Sequence, residues 1–160
     1  MRIIVDTREQ APFPFAGKYY EDVTLERGVL ATGDYSLAGL TDRIAIERKS
    51  LDDLLGCLTK HRERFEAELN RARGLSVFAV VVEAGWQDLA QGAYRSKMKP
   101  HAACQSVTSF MVKYGCPFLF AGSRAGAEYL CWSLLHQFLD GTAKRYREII
   151  RAHRECGLSA

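Results

Sequence analysis

Short β-branched runs punctuated by turn residues fill the first half of the chain, and longer stretches with helical periodicity fill the second. Runs at Arg2–Val5, Val23–Leu25, Tyr35–Leu37, Arg43–Lys49, Val77–Val82 and Pro117–Phe120 have the length and the Val, Ile and Phe content of strands. Helical patterns lie between and after them. Ser50 is placed to cap a helix over Leu51–Leu58, with Asp52 and Asp53 in its first turn, where the helix dipole favours acids. His61 to Arg73 reads as a charged amphipathic helix in which Arg62 and Glu66 are spaced for an i, i+4 pair. Pro100 opens and Gly115 closes a helix that ends at Tyr114. Ser123 caps a long helix from Arg124 to about Leu139. Strands interleaved with helices predict an α/β sandwich around a central mixed β-sheet flanked by α-helices.

The last helix carries Tyr129, Leu130, Trp132, Leu134, Leu135, Phe138 and Leu139, too many apolar side chains to face only water. They either complete the core of one chain or form a face on which two chains pair. At 160 residues and 48% hydrophobic content the chain suits one domain with a core of its own. No stretch approaches the ~20 apolar residues of a membrane span. The opening "MRIIVDTREQ" turns acidic after a very short apolar run, unlike a signal peptide, so a cytoplasmic protein with no membrane partner is expected. The five cysteines are scattered without a Cys-x-x-Cys pair, which argues for free thiols rather than zinc ligands or a disulfide framework. The histidines are equally dispersed.

A net charge of +3 leans only mildly toward a polyanionic partner, so local clusters matter more. Arg95, Lys97 and Lys99 form a basic loop with Tyr94 before it and His101 after it, a composition that can hold a phosphate backbone. Lys144-Arg145-Tyr146-Arg147, with Arg151 and Arg154, forms a second basic group on the C-terminal helix. Each group is either a DNA contact or a solvated face.

The chemistry concentrates in "TGDYSLAGLTDRIAIERKS". On the strand Arg43–Lys49, side chains alternate, so Glu47 and Lys49 share one face while Ile46 and Arg48 share the other. Asp34 reaches Glu47 if the Tyr35–Leu37 strand pairs with this one through Ala38–Asp42. Two carboxylates and an ammonium then converge, a donor set suited to Mg²⁺ or Mn²⁺ and to phosphodiester hydrolysis. Taken alone, Glu-Arg-Lys is also an ordinary solvated charge triplet. Asp52 is accounted for by helix capping, whereas for Asp53 capping and a place at a metal site are compatible.

The surroundings of the triplet add a resemblance. "MRIIVDTREQ" ends a strand in Asp6-Thr7-Arg8-Glu9, Gly33-Asp34 follows, and Glu47-Arg48-Lys49 is succeeded by Asp53 and Arg62. This order resembles the XPF-type structure-specific endonucleases of the PD-(D/E)xK nuclease superfamily. The resemblance implies a restriction-endonuclease-like three-layer sandwich and a single nuclease domain over 1–160. It also implies metal ligation by Asp34 and Glu47, helped by the Arg48 main-chain carbonyl, with Lys49 catalytic. Asp6 and Asp53 would be acids in or next to the ligand set, with Arg8, Glu9 and Arg62 in support. "VFAVVVEAG" with Glu83 and "YGCPFLFAGSRAGAEYL" resemble the family's later strands and the helix after them. Two departures are the twelve-residue loop between Asp34 and Glu47 and Glu66 at a position where the family carries Gln. A third is that no tandem helix-hairpin-helix module lies within these residues.

The implied activity is a Mg²⁺- or Mn²⁺-dependent DNA endonuclease cutting branched or flap DNA in repair or recombination. It implies homodimerisation through about 123–155 and a separate helicase or DNA-binding partner. A self-standing domain of this kind also suits a phage or mobile element. Two alternatives use the same fold: a non-catalytic DNA-binding or scaffold subunit, and a simple exonuclease. Retention of Asp34, Glu47 and Lys49 argues against the first. The absence of a P-loop motif argues against translocating enzymes.

Overall fold

Alternation of side chains along the strands separates two cores in a computed structural model that describes residues 1–154. Its elements run β1 (Arg2–Asp6), β2 (Thr24–Gly28), β3 (Tyr35–Leu37), β4 (Ile44–Lys49), α1 (Leu51–Leu58), α2 (Arg62–Ala72), β5 (Val77–Val82), α3 (Trp86–Gln91), α4 (Pro100–Tyr114), β6 (Phe118–Phe120) and α5 (Arg124–Arg154). The six strands form one mixed sheet in the order β2-β1-β3-β4-β5-β6. β3 runs antiparallel to β1 and β4, while β1–β2, β4–β5 and β5–β6 are parallel.

One face of the sheet packs Ala45, Val80 and Val82 against Leu54 and Leu55 of α1, Phe65 and Leu69 of α2 and Phe110 of α4. The other packs Ile44, Ile46, Ala79 and Val81 against Ala127, Cys131 and Leu135 of α5, with Phe13 and Phe15 from the loop after β1. The expected three layers are therefore present, and the fully buried Leu and Phe side chains each stabilise them by about 1.5–3 kcal/mol. No helix among the described residues is long and apolar enough to cross a membrane.

Three elements differ from the sequence expectation. β2 runs on from Thr24 to Gly28, pairing Arg2 with Thr24 through Asp6 with Gly28. It is an edge strand with exposed Thr24, Leu25 and Arg27, so Glu26-Arg27-Gly28 carries no buried pattern to read. α3 went unanticipated because six residues are too few to display a helical period. α5 continues past Leu139 to Arg154, since Gly141 is only a local weakness in a run of strong helix formers. The basic group at Lys144–Arg154 is thus the exposed end of this same helix.

Backbone geometry presets one position of special interest. Gly33 has φ +79°, and a Cβ built there would lie 2.9 Å from the Ala45 Cβ and 3.2 Å from the Ile46 carbonyl oxygen. The next residue, Asp34, donates its N–H to the Ile46 carbonyl (2.8 Å) and accepts from the Asp6 N–H through its own carbonyl (2.8 Å). Its backbone is therefore pinned between β1 and β4. Gly33→Ala should lower the unfolding free energy by about 2 kcal/mol, from left-handed strain and the contact with Ala45 together, as read by urea denaturation. An unchanged midpoint would mean that the turn yields freely.

Candidate active site

Pairing of β3 with β4 in the register Tyr35 to Ile46 sets Asp34 beside Glu47, one step further along. Both carboxylates open into a cleft of about 290 Å³ at the C-terminal end of β4. Asp6, Arg8, Lys49 and Asp53 line it too, so six of the residues expected at the site are gathered in one place. The Arg48 N–H donates to Asp34 Oδ2 at 2.8 Å, and Lys49 Nζ donates to Glu47 Oε1. Glu47 is only 3% exposed.

Burial dominates the electrostatics. It pushes the Asp34 carboxyl up to about 6, against the Arg48 N–H and the Lys49 charge, which both favour ionisation. Burial, and then the Asp34 charge, push the Glu47 carboxyl well above its usual range. For Lys49 burial favours the neutral amine, but attraction to Glu47 and Asp34 outweighs it and holds the ammonium charged. Lys49 is thus held as an ammonium by its carboxylate neighbours. Two carboxylates facing one ammonium leave the cleft short of positive charge, which favours a bound cation.

The donors present suit Mg²⁺ or Mn²⁺. Arg48 engages one oxygen of Asp34 and Lys49 one oxygen of Glu47, leaving the second oxygen of each for a cation. Among the described residues no three His, Cys, Asp or Glu side chains form a ready-made ligand cluster. Two carboxylates completed by water are the Mg²⁺ arrangement rather than the Ca²⁺ or Zn²⁺ one. Asp6 is differently engaged. Its Oδ1 accepts from the Arg8 N–H (2.8 Å) and Nε (2.7 Å), and its Oδ2 from Arg8 Nη2 (3.0 Å) and the Leu30 N–H (2.7 Å). These bonds outweigh burial and hold its carboxyl below the usual range.

Arg48 turns to the opposite face of the sheet, as strand alternation requires. Its Nε and Nη2 bond both oxygens of Glu9 (3.0 and 3.1 Å) and its Nη1 bonds Glu83 (2.9 Å). Arg124 reaches the same Glu83 oxygen (2.6 Å) and the Ala11 and Pro12 carbonyls (2.7 and 3.0 Å). Glu9, Arg48 and Glu83 therefore brace the cleft from behind rather than line it. Arg62 pairs with Glu66 as its spacing predicted (2.9 Å), and Lys113 and Tyr114 bond the same carboxylate and hold it near 2. That group ties α2 to α4 outside the cleft.

With this geometry in hand, comparison with known proteins is decisive about kinship. The ERCC4 domain matches residues 5–131. The chain belongs to the ERCC4 domain family. XPF from Aeropyrum pernix in complex with DNA is similar in fold, with TM-score 0.67 and 22% identity over 88% of this chain and 66% of that one. XPF from Aeropyrum pernix in a second structure gives TM-score 0.67 and 21% identity over 86% and 61%. The chain spans no more than about two thirds of these proteins. No curated relative matches it significantly. The segment shared with the family holds Asp6, Asp34, Glu47, Lys49, Asp53 and Glu83 and ends within α5.

Cleft residues that sequence reasoning missed are Cys57 on α1 and His61, Arg64 and Glu68 on or beside α2. His61, Arg64, Phe65 and Glu68 recur at i, i+3, i+4 and i+7 and so share one helix face. Attention to the Arg62–Glu66 pair selected the neighbouring face instead. Glu68 also accepts a long hydrogen bond from the Gly33 N–H (3.4 Å) and adds negative charge near Asp34 and Glu47.

The raised Asp34 pKa has a definite sign in metal-free protein. Between 3.8 and about 6 the folded state binds more protons than the unfolded one, so stability falls as pH rises through this window. Asp34→Asn should match the parent near pH 4 and exceed it at pH 7 by up to about 3 kcal/mol, as read by denaturant melts without divalent cations. A variant less stable at pH 7 would show that the Asp34 charge is favourably held.

Proposed function

We propose that this ERCC4-family chain is a single nuclease domain that hydrolyses DNA phosphodiesters endonucleolytically with a divalent metal. The observation that carries this reading is the pairing of buried Glu47 with half-buried Asp34 beside the ammonium of Lys49. Asp34 and Glu47 would hold Mg²⁺ or Mn²⁺, with Asp53 on the cleft wall, its Oδ2 accepting from the Ser50 hydroxyl at 2.7 Å. When bound, the cation supplies an acidified water and charge neutralisation at the phosphoryl group. Lys49 adds positive charge where negative charge grows on the phosphoryl oxygens. Asp6 acts by fixing Arg8 at the cleft mouth, where the guanidinium is largely exposed and able to meet a phosphate.

The path of DNA past the site is supported by the loop between α3 and α4. The Arg95 N–H bonds Asp52 at 3.1 Å, one residue from Asp53 on the cleft wall. Tyr94 Oη donates to the Met98 carbonyl (3.0 Å), giving the loop a defined shape, while Lys97, Lys99 and His101 stay exposed. Arg95, Lys97, Lys99 and His101 therefore form a basic rim beside an acidic cleft, which suits a strand whose backbone is held while one phosphate enters.

Branched or flap DNA is the proposed substrate, in repair or recombination. A homodimer is proposed through α5, whose apolar face continues past the sheet as Tyr146 and Ile149, 64% and 45% exposed. A separate helicase or DNA-binding subunit would supply junction recognition. The scaffold alternative fits poorly with a complete acid pair and lysine. Glu47→Gln removes ligand charge with little change in shape. It should lower metal-dependent cleavage of end-labelled flap, fork and four-way-junction DNA by on the order of a thousandfold while DNA binding persists. Cleavage at the parental rate would remove Glu47 from the site.

A further inference from the structure

α5 outruns the body that it packs against. Its first half covers β3, β4 and β5, starting from Arg124 against Glu83 at the cleft end of β5. Around Phe138 to Thr142 it passes the β3–β4 loop at Gly39 to Arg43, the opposite edge of the sheet. Beyond that edge, residues 143–149 and 151–154 are all exposed.

Charge is concentrated in this extension. Residues 143–154 contain five Lys and Arg side chains and Glu148 as the one acid, whereas the whole chain has a net charge of +3. The remainder is therefore slightly negative, and its cleft holds buried acids. Lys144, Arg147, Arg151 and Arg154 recur at intervals of three and four, so they form one stripe about 15 Å long on the helix surface. Ile149 lies on the other side of the helix, while Tyr146 and Ile150 border the stripe in a groove shared with Arg147, Arg151 and Arg154.

We propose that this stripe is a docking site for the phosphate backbone of double-stranded DNA, separate from the cleft and from the Arg95–His101 loop. Lys144 lies about 30 Å along the helix axis from Arg124, so the stripe meets a part of the duplex remote from the bond being cut. Its chemistry is that of non-specific duplex binding, with cations spaced along the helix and Ile150 bordering Arg147, Arg151 and Arg154. The inference rests on the nuclease reading only for the identity of the polyanion. It supplies the steering field that an acidic cleft lacks.

The test uses the full chain and an unbranched 30-base-pair duplex without divalent cations, read by fluorescence anisotropy from 50 to 200 mM salt. K144Q/R147Q/R154Q keeps helix-forming residues and should weaken binding about tenfold or more, reducing the slope of log affinity against log salt by about 2–3. Glu148→Gln, which removes the local acid, should strengthen binding, and this gain cannot come from misfolding. Unchanged affinity and slope in the triple variant overturn the proposal, as does a loss confined to anionic phosphatidylserine vesicles. K97Q/K99Q reports on the loop independently, and Glu47→Gln reports on cleavage. If cleavage depends on Glu47 while the triple variant binds normally, the stripe proposal falls alone. If the triple variant binds weakly while the parent protein cuts no duplex, flap, fork or junction DNA with Mg²⁺ or Mn²⁺, the nuclease reading falls alone.

Discussion

A buried carboxylate, Glu47, paired with the Lys49 ammonium and set beside the half-buried Asp34, is the constraint on which this structure turns. Such an arrangement is unfavourable on its own terms, since burial raises the Asp34 carboxyl to about 6 and pushes Glu47 well above its usual range. It persists because the backbone leaves no alternative. Asp34 is pinned between β1 and β4 by its own N–H and carbonyl, and the turn before it is fixed by a glycine that no larger residue can replace without contact. Stability elsewhere in the fold sustains a local excess of negative charge, the physical state from which a cation is gained most readily.

The strand that carries Glu47 serves both faces of the sheet at once. Glu47 and Lys49 face the cleft, while Arg48 enters a network with Glu9, Glu83 and Arg124 on the far side. Phe13 lies beneath both guanidiniums, 6.0 Å from Arg48 and 5.0 Å from Arg124. The loop after β1, the ends of β4 and β5 and the start of α5 are locked together there. The Arg48 main chain completes the link, because its N–H holds the Asp34 carboxylate. A single residue thus joins the structural network to the candidate metal site, and three consecutive side chains divide scaffold from chemistry.

Much of this was legible in the sequence where local periodicity and chemistry coincide. Period-two alternation separated Glu47 and Lys49 from Arg48, and the Gly-Asp turn placed Asp34 opposite Glu47. Ser50 caps α1 as expected, accepting from the Asp53 N–H at 3.1 Å. What was not legible depends on tertiary context. The continuation of β2 over Glu26–Gly28 comes from pairing with β1 and not from its own residues. His61, Arg64 and Glu68 belong to the cleft only because Phe65 and Leu69 fix which face of α2 meets the sheet. The role of Asp6 could not be read either, because the spacing of an acid from an arginine does not reveal that Arg8 and Leu30 together engage both of its oxygens.

Isothermal titration of Mg²⁺ into the protein and its Glu47→Gln variant, near pH 6 in two buffers of different ionisation enthalpy, tests the central claim most directly. The cleft should bind the cation with release of protons from Asp34 and Glu47, and the variant should lose most of that binding and release. Binding of equal strength and proton count in both proteins, or no binding to either, would contradict a metal site built on these two carboxylates.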